Sequence, residues 1–150
     1  MRDDGFAEFM ARSQAELLRT AWLLVGDAHR AEELTQQALV RTYAAWPRAQ
    51  RDPVACTRRV LVNLRTDTWR RRRREVLMSP ERLPERGRAV HDGVEHRDQL
   101  SRALSLLTAR QRKVVVLRYV LDLSETQVAA DLGISVGTVK STASRALGRC

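Results

Sequence analysis

The stretch "RRVLVNLRTDTWRRRRR" sets Arg59, Asn63, Thr66, Arg70 and Arg73 at alternating steps of four and three residues, which is one stripe of a helix. Guanidinium groups pair with phosphate oxygens, an amide reads base edges, and an indole stacks on an unpaired base. Trp69 and Asn63 stand among the arginines. Five consecutive arginines, Arg70 to Arg74, repel one another unless a polyanion lies close. The pattern points to nucleic acid. The blander reading is a solvated helix end whose cations suit the helix dipole, and Trp69 on its own is equally well explained by core packing.

A second set lies near the C-terminal end, in "SETQVAADLGISVGTVKSTASRAL". Ser124 and Gln127 match a capping box, in which each side chain satisfies the other residue's backbone donor. Val128, Leu132, Ile134 and Val139 are the apolar positions of two short helices, and Ala129 is small where they cross. Gly133 supplies the positive φ of the turn between them, and Ser135 can cap the second helix. This spacing is that of a DNA-binding helix-turn-helix, whose second helix enters the major groove. Thr138, Lys140, Ser141, Thr142 and Arg145 would then face DNA. An ordinary helical hairpin with a polar outer face is the alternative.

A third set, in "GDAHRAEELTQQAL", has the opposite sign. Glu32, Glu33, Gln36 and Gln37 form an acidic-polar ridge on a helix whose other face holds Ala31, Leu34 and Ala38. Taken alone this is a solvated face. A negative ridge in a DNA-binding protein turns away from DNA and is free for a protein partner.

The elements that must position these sets are helices. The chain has 150 residues, 43% of them hydrophobic, with 7 Gly and 4 Pro, and alternating β-branched runs are nearly absent. Apolar Phe6, Phe9, Met10, Leu17, Ala21 and Leu24 give a first helix from Asp4 to Val25, ended by Gly26, with Asp27 capping the next. That second helix is expected to run to about Trp46 and stop at Pro47, leaving "PRAQRDP" as a basic loop. A third helix starts near Pro53 and reaches about Arg74, with Val54, Leu61, Leu64 and Thr68 on its buried face. Residues 75–96 hold two Pro and two Gly and no sustained period, which reads as a mobile linker. Helical pattern resumes near Arg97, with Leu100, Ala103, Leu104 and Leu107 on one helix and Thr108 capping the next.

The net charge of +9 is unevenly placed: −2 over residues 1–46, +8 over 47–74, −2 over 75–99 and +5 over 100–150. Two basic blocks suit a long polyanion touched twice. His29, His91 and His96 are scattered, and Cys56 and Cys150 lie far apart, so no metal-ligand spacing, catalytic set or cofactor motif stands out. No apolar run approaches the ~18 residues of a membrane span, and the acidic N-terminus lacks the pattern of a signal peptide. A reduced, cytoplasmic setting is the expectation.

Together these segments resemble the bacterial sigma factors of the extracytoplasmic-function class, nearest to the short sigma-E-like branch of actinobacteria. "GDAHRAEELTQQALVRTY" is similar to the family's GD-x-x-x-AEDLVQ-x-x-F, and "RRVLVNLRTDTWRRRRR" to its R-x-x-x-N-x-x-x-D-x-x-RRRRR. "LTARQRKVVVLRYVLDLSETQVAADLGISVGTVKSTASRAL" is similar to its LPxRQRxVxxLRYxxxLSxxEIAxxLGxSxGTVKSxxxRAL. The resemblance implies an all-α protein of two small helical domains joined by a flexible linker: region 2 over 1–75, linker over 76–96, region 4 over 97–150. It implies that Asp27, Glu32, Glu33, Leu34, Gln36 and Gln37 bind the clamp helices of the largest subunit of core RNA polymerase. Glu33 stands where the family usually has Asp, and Gln37 where an acid is commoner. The loop carrying Arg48 and Arg51, and the helix carrying Arg59, Asn63, Arg65, Thr66, Asp67, Trp69, Arg70 and Arg73, would melt and read the −10 element. Ser135, Val136, Gly137, Thr138, Lys140, Ser141, Thr142 and Arg145 would read the −35 element as duplex. Further partners implied are the flap of the second-largest subunit and promoter DNA, with room for an anti-sigma factor and no membrane. The polymerase does the chemistry, so neither an enzyme activity nor a cofactor is implied.

The runner-up is a helix-turn-helix repressor or activator that works without polymerase. It explains residues 100–149 but leaves the acidic ridge and the Asn/Trp/Arg helix without a purpose. A nuclease fits poorly, because paired carboxylates at metal-ligand spacing are missing from the motifs.

Overall fold

The computed structural model describes residues 2–64 and 94–149, with side chains at 3–64 and 99–148. Arg65, Thr66, Asp67, Trp69, Arg70 and Arg73, the end of the third predicted helix and most of the expected linker lie outside the described residues. Among the described residues every regular element is a helix, and the fold is all-α. Two compact units divide the chain, one within Met1–Arg88 and one within Ala89–Cys150.

In the first unit α1 spans Arg2–Val25 and packs along α2, Ala28–Ala44. Phe9, Leu17, Ala21 and Leu24 recur at helical spacing and are buried against Ala31, Leu34, Ala38 and Leu39 of α2. The join is made as the sequence predicts. Gly26 takes φ 73°, and Asp27 accepts the His29 N–H at 2.9 Å as the α2 cap. Phe6, Phe9, Tyr43 and Trp46 form an aromatic cluster at the other end, with ring centroids 5.0–6.1 Å apart. Gly5 belongs to it sterically, since a Cβ there would stand 3.5 Å from the Trp46 indole.

One boundary of this unit differs from expectation. Helix α2 ends at Ala44, and Pro47 does not stop it; Pro47 sits in the first turn of a short helix α3, Trp46–Ala49. The N–H of a first-turn residue has no intrahelical acceptor, so proline, which lacks one, fits there as readily as after a helix end. Part of the expected basic loop is therefore helical. Helix α4 occupies residues 53–64 of the described chain. Asp52 caps it, accepting the Ala55 N–H at 3.2 Å. Its buried face is Thr57, Leu61, Val62 and Leu64, whereas Val54 is 36% exposed. Val54 is in the first turn, beyond the reach of the neighbouring core.

The second unit opens with α5, Val94–Ser105, three residues before the expected start, and Leu100 is exposed rather than buried. Thr108 and Gln111 form a complete capping box at the start of α6, Ala109–Val115. The chain then makes a π-helical turn over Val116–Val120, where the Leu121 N–H reaches back to the Val116 carbonyl at 3.0 Å. Asp122 follows at φ 55°, a left-handed residue that is not glycine. Helices α7, Glu125–Leu132, and α8, Val136–Arg149, complete the unit. Leu104, Val114, Leu117, Val128, Val139 and Ala146 are buried in it.

Candidate nucleic-acid and partner interfaces

The helix-turn-helix is built by local chemistry. The Gln127 N–H donates to Ser124 Oγ at 3.1 Å while the Ser124 N–H donates to Gln127 Oε1 at 2.9 Å. Gly133 ends α7 at φ 66°, ψ 37°, and the Thr138 N–H donates to Ser135 Oγ at 3.0 Å to start α8. The Ser135 and Thr138 hydroxyls also share a proton at 2.8 Å. Helix α8 buries Val139, Thr142, Ala143 and Ala146, the i, i+3, i+4, i+7 face. Its outward face carries Val136, Gly137, Lys140, Ser141 and Arg145 as expected, and Ser144 besides. Thr142 is only 6% exposed. It is a core residue of α8, because it stands one turn from Val139, and it leaves the expected DNA-facing set, whereas Ser144 is exposed. Arg112 and Lys113 are buried too, so two of this half's cations are withdrawn from its surface.

In the first unit, the ridge forms an exposed face of α2. Glu32, Gln36 and Gln37 are exposed, and Glu33 is half-buried with Oε1 3.2 Å from His29 Nε2. Asp27 stands at its foot, occupied in capping. Leu34 is 1% exposed, in the core beside Ala31 and Ala38. It supports the ridge from below and does not belong to its surface. Val40, 67% exposed, continues the ridge one turn beyond Gln36 and Gln37. The sequence shows it as a lone apolar residue at i+3 and i+4 from that pair.

The basic residues that the sequence scatters over a loop and a helix meet around one open groove of about 700 Å³. Arg48, Arg51, Arg59 and Asn63 line it, joined by Arg41 from the last turn of α2. The floor includes Ala45, Ala49, Ala55, Val60 and Leu64, and among the described residues Asp52 is the only carboxylate in the lining. Asn63 holds its amide by donating to the Arg59 carbonyl at 2.8 Å. Four guanidinium groups over an apolar floor can hold phosphates at the rim and an unstacked base within. Arg41 carried no signal in the sequence, since the residues it joins in the groove come from α3, α4 and the turn between them.

Comparison with known proteins finds relatives along the chain. Residues 97–150 match the family described as Sigma-70, region 4. The chain is 44% identical over 149 residues to the RNA polymerase sigma-E factor of Streptomyces avermitilis, covering 96% of this chain and 82% of that one. It is 34% identical over 137 residues to the ECF RNA polymerase sigma factor SigL of Mycobacterium tuberculosis, covering 85% and 76%. Among solved structures, it is similar to the sigma factor RpoE of Bartonella quintana, crystallised with the anti-sigma factor NepR. The TM-score is 0.79 at 28% identity, over 99% of this chain and 94% of that one.

Proposed function

The chain belongs to the extracytoplasmic-function RNA polymerase sigma factors, and we propose on that premise how its residues divide the work of promoter recognition. A sigma factor binds core RNA polymerase and directs it to start transcription at specific promoters. The observation that carries this function is the 44% identity to a sigma-E factor along 96% of the chain. The polymerase supplies the reaction, and we assign no catalytic step to this chain. It works beside the polymerase, in the cytoplasm; no helix among the described residues is long and apolar enough to cross a membrane.

We assign residues 1–75 to region 2, 76–96 to the linker and 97–150 to region 4. Asp27, Glu32, Glu33, Gln36 and Gln37, with Val40, form the surface for the clamp helices of the largest subunit, and region 4 takes the flap of the second-largest. Helix α8 reads the −35 duplex with Val136, Gly137, Thr138, Lys140, Ser141, Ser144 and Arg145, under the Ser135 cap. The arginine groove takes the melted −10 strand, together with Arg65, Thr66, Asp67, Trp69, Arg70 and Arg73. Opening duplex costs about 1–2 kcal/mol per stacked step, and an unstacked base in the groove with phosphates on its rim recovers part of that. An anti-sigma factor is a further partner, as for the RpoE relative crystallised with NepR. A polymerase-independent repressor leaves both the ridge and the groove without a purpose.

Run-off transcription tests this reading. Core polymerase supplied with the chain initiates at a cognate promoter and does not without it. Equal transcripts in both reactions would overturn it.

A further inference from the structure

Thr42 of α2 and Thr57 of α4 are both 0% exposed, and their Oγ1 atoms approach to 2.7 Å. Each hydroxyl also lies against a carbonyl one turn back in its own helix, Thr42 at 2.9 Å from Ala38 and Thr57 at 2.7 Å from Pro53. Three oxygen–oxygen approaches share two protons, so one hydroxyl donates across the crossing while the other donates to its own helix. Thr42 directly follows Arg41, and Thr57 lies two residues before Arg59 and six before Asn63. The crossing therefore joins two helices that both supply residues to the arginine groove, Arg41 from α2 and Arg59 and Asn63 from α4.

We propose that the buried Thr42–Thr57 hydroxyl pair is a positioning device, which holds α4 against α2 closely enough for Arg41 and Arg48 to share one groove with Arg59 and Asn63. The inference rests on the groove taking melted DNA. Its physical basis is the difference between a hydrogen bond and an apolar contact. Oxygens joined by a proton sit at 2.7 Å, whereas carbon atoms meet at about 3.5–4.0 Å. Valine has the shape of threonine, so a valine pair fills the crossing and stays folded, but it parts the helices by up to about 1 Å. Serine does the opposite. It loses two buried methyl groups and some stability, yet it keeps both hydroxyls and the short approach.

The full chain with core polymerase and a promoter carrying 2-aminopurine in the −10 element measures this, alongside thermal unfolding and retention of the chain by core polymerase. The double variant T42V/T57V retains core polymerase and a melting temperature at or above that of T42S/T57S, while its promoter opening falls about tenfold, the equivalent of one well-placed contact. T42S/T57S opens within about twofold of the parent despite its lower stability, since one contact's loss is what the hydroxyls prevent. Opening that follows melting temperature across the two variants would show a merely structural pair and overturn the inference. Should T42V/T57V not fold, the single variants T57V and T57S are ranked by the same rule. Arg59→Ala is the control: if it opens the promoter as the parent does, the groove reading and this inference fall together. If Arg59→Ala impairs opening and T42V/T57V does not, the inference alone falls.

Discussion

Lys140 and Arg145 project from α8 without burial, so their replacement by alanine tests DNA contact with little effect on folding. Each substitution weakens binding to a −35 duplex by about 1–3 kcal/mol if a base is read, as fluorescence anisotropy measures, and the loss shrinks when the −35 sequence is scrambled. Ser144→Ala weakens the same complex, whereas Thr142→Ala lowers thermal stability first. On the ridge, charge reversal in E32K/E33K abolishes co-purification with core polymerase and leaves far-ultraviolet circular dichroism unchanged. Leu34→Ala reads out instead as a loss of about 2–5 kcal/mol in denaturant unfolding, because it opens a cavity. Thr142 and Leu34 mark the limit of motif reading at this scale. A motif run treats consecutive residues alike, but Thr142 stands one turn from buried Val139 and the helical period puts it inside, while for Leu34 the helical spacing with Ala31 and Ala38 gave the inward face and only the family motif gave the surface.

Helix termini were the most legible elements, because a cap is settled by residues three apart. Asp27, Thr108, Ser124, Gly133 and Ser135 all do what their types predict. Replacing Ser124 by alanine removes one side of its capping box and costs about 1 kcal/mol of stability. Gly133→Ala is the sharper case. A Cβ there meets nothing within 4 Å, so the entire loss, about 1–2 kcal/mol, comes from the left-handed backbone. Calorimetry of the pair separates a lost hydrogen bond from a strained turn. The π-helical turn at Val116–Val120 was not legible, since "VLRYV" has ordinary helical composition. Its side chains make contacts that no motif announces: Arg118 donates to the Leu123 carbonyl at 3.2 Å, and its guanidinium lies 5.5 Å from the Tyr119 ring centre. Pro47 was ambiguous for a different reason, as proline is favoured both just after one helix and at the start of another.

For the whole molecule, the charge blocks of +8 and +5 belong to different halves of the chain, and each alone holds DNA only through its own contacts. Joined on polymerase, the second contact becomes intramolecular, which multiplies affinity by about 10²–10⁴. Residues 1–75 and 97–150 supplied to core polymerase as separate chains should therefore give far less run-off transcript than the intact protein at equal concentration. Equal yield would mean that covalent connection adds nothing. The helical class and the two-block charge pattern were visible in the sequence. The arginine groove was not, because Arg41, Arg48, Arg51 and Arg59 come from α2, α3, the turn after it and α4, and meet only in the folded unit.

The aromatic cluster around Trp46 has an optical consequence. Trp22, Trp46 and Trp69 are the only tryptophans in the chain, and all belong to its first half. Trp46 is 6% exposed, against Phe6 and Phe9, so its emission in the folded protein lies to the blue of solvated indole. Excitation at the red edge of the absorption band therefore follows the first half while the second half, whose one tyrosine is Tyr119, stays dark. Circular dichroism sees the helices of both. If the halves unfold as separate cooperative units, the two signals trace different curves in one denaturant series, and the unmutated, unlabelled protein reports the stability of each half by colour alone.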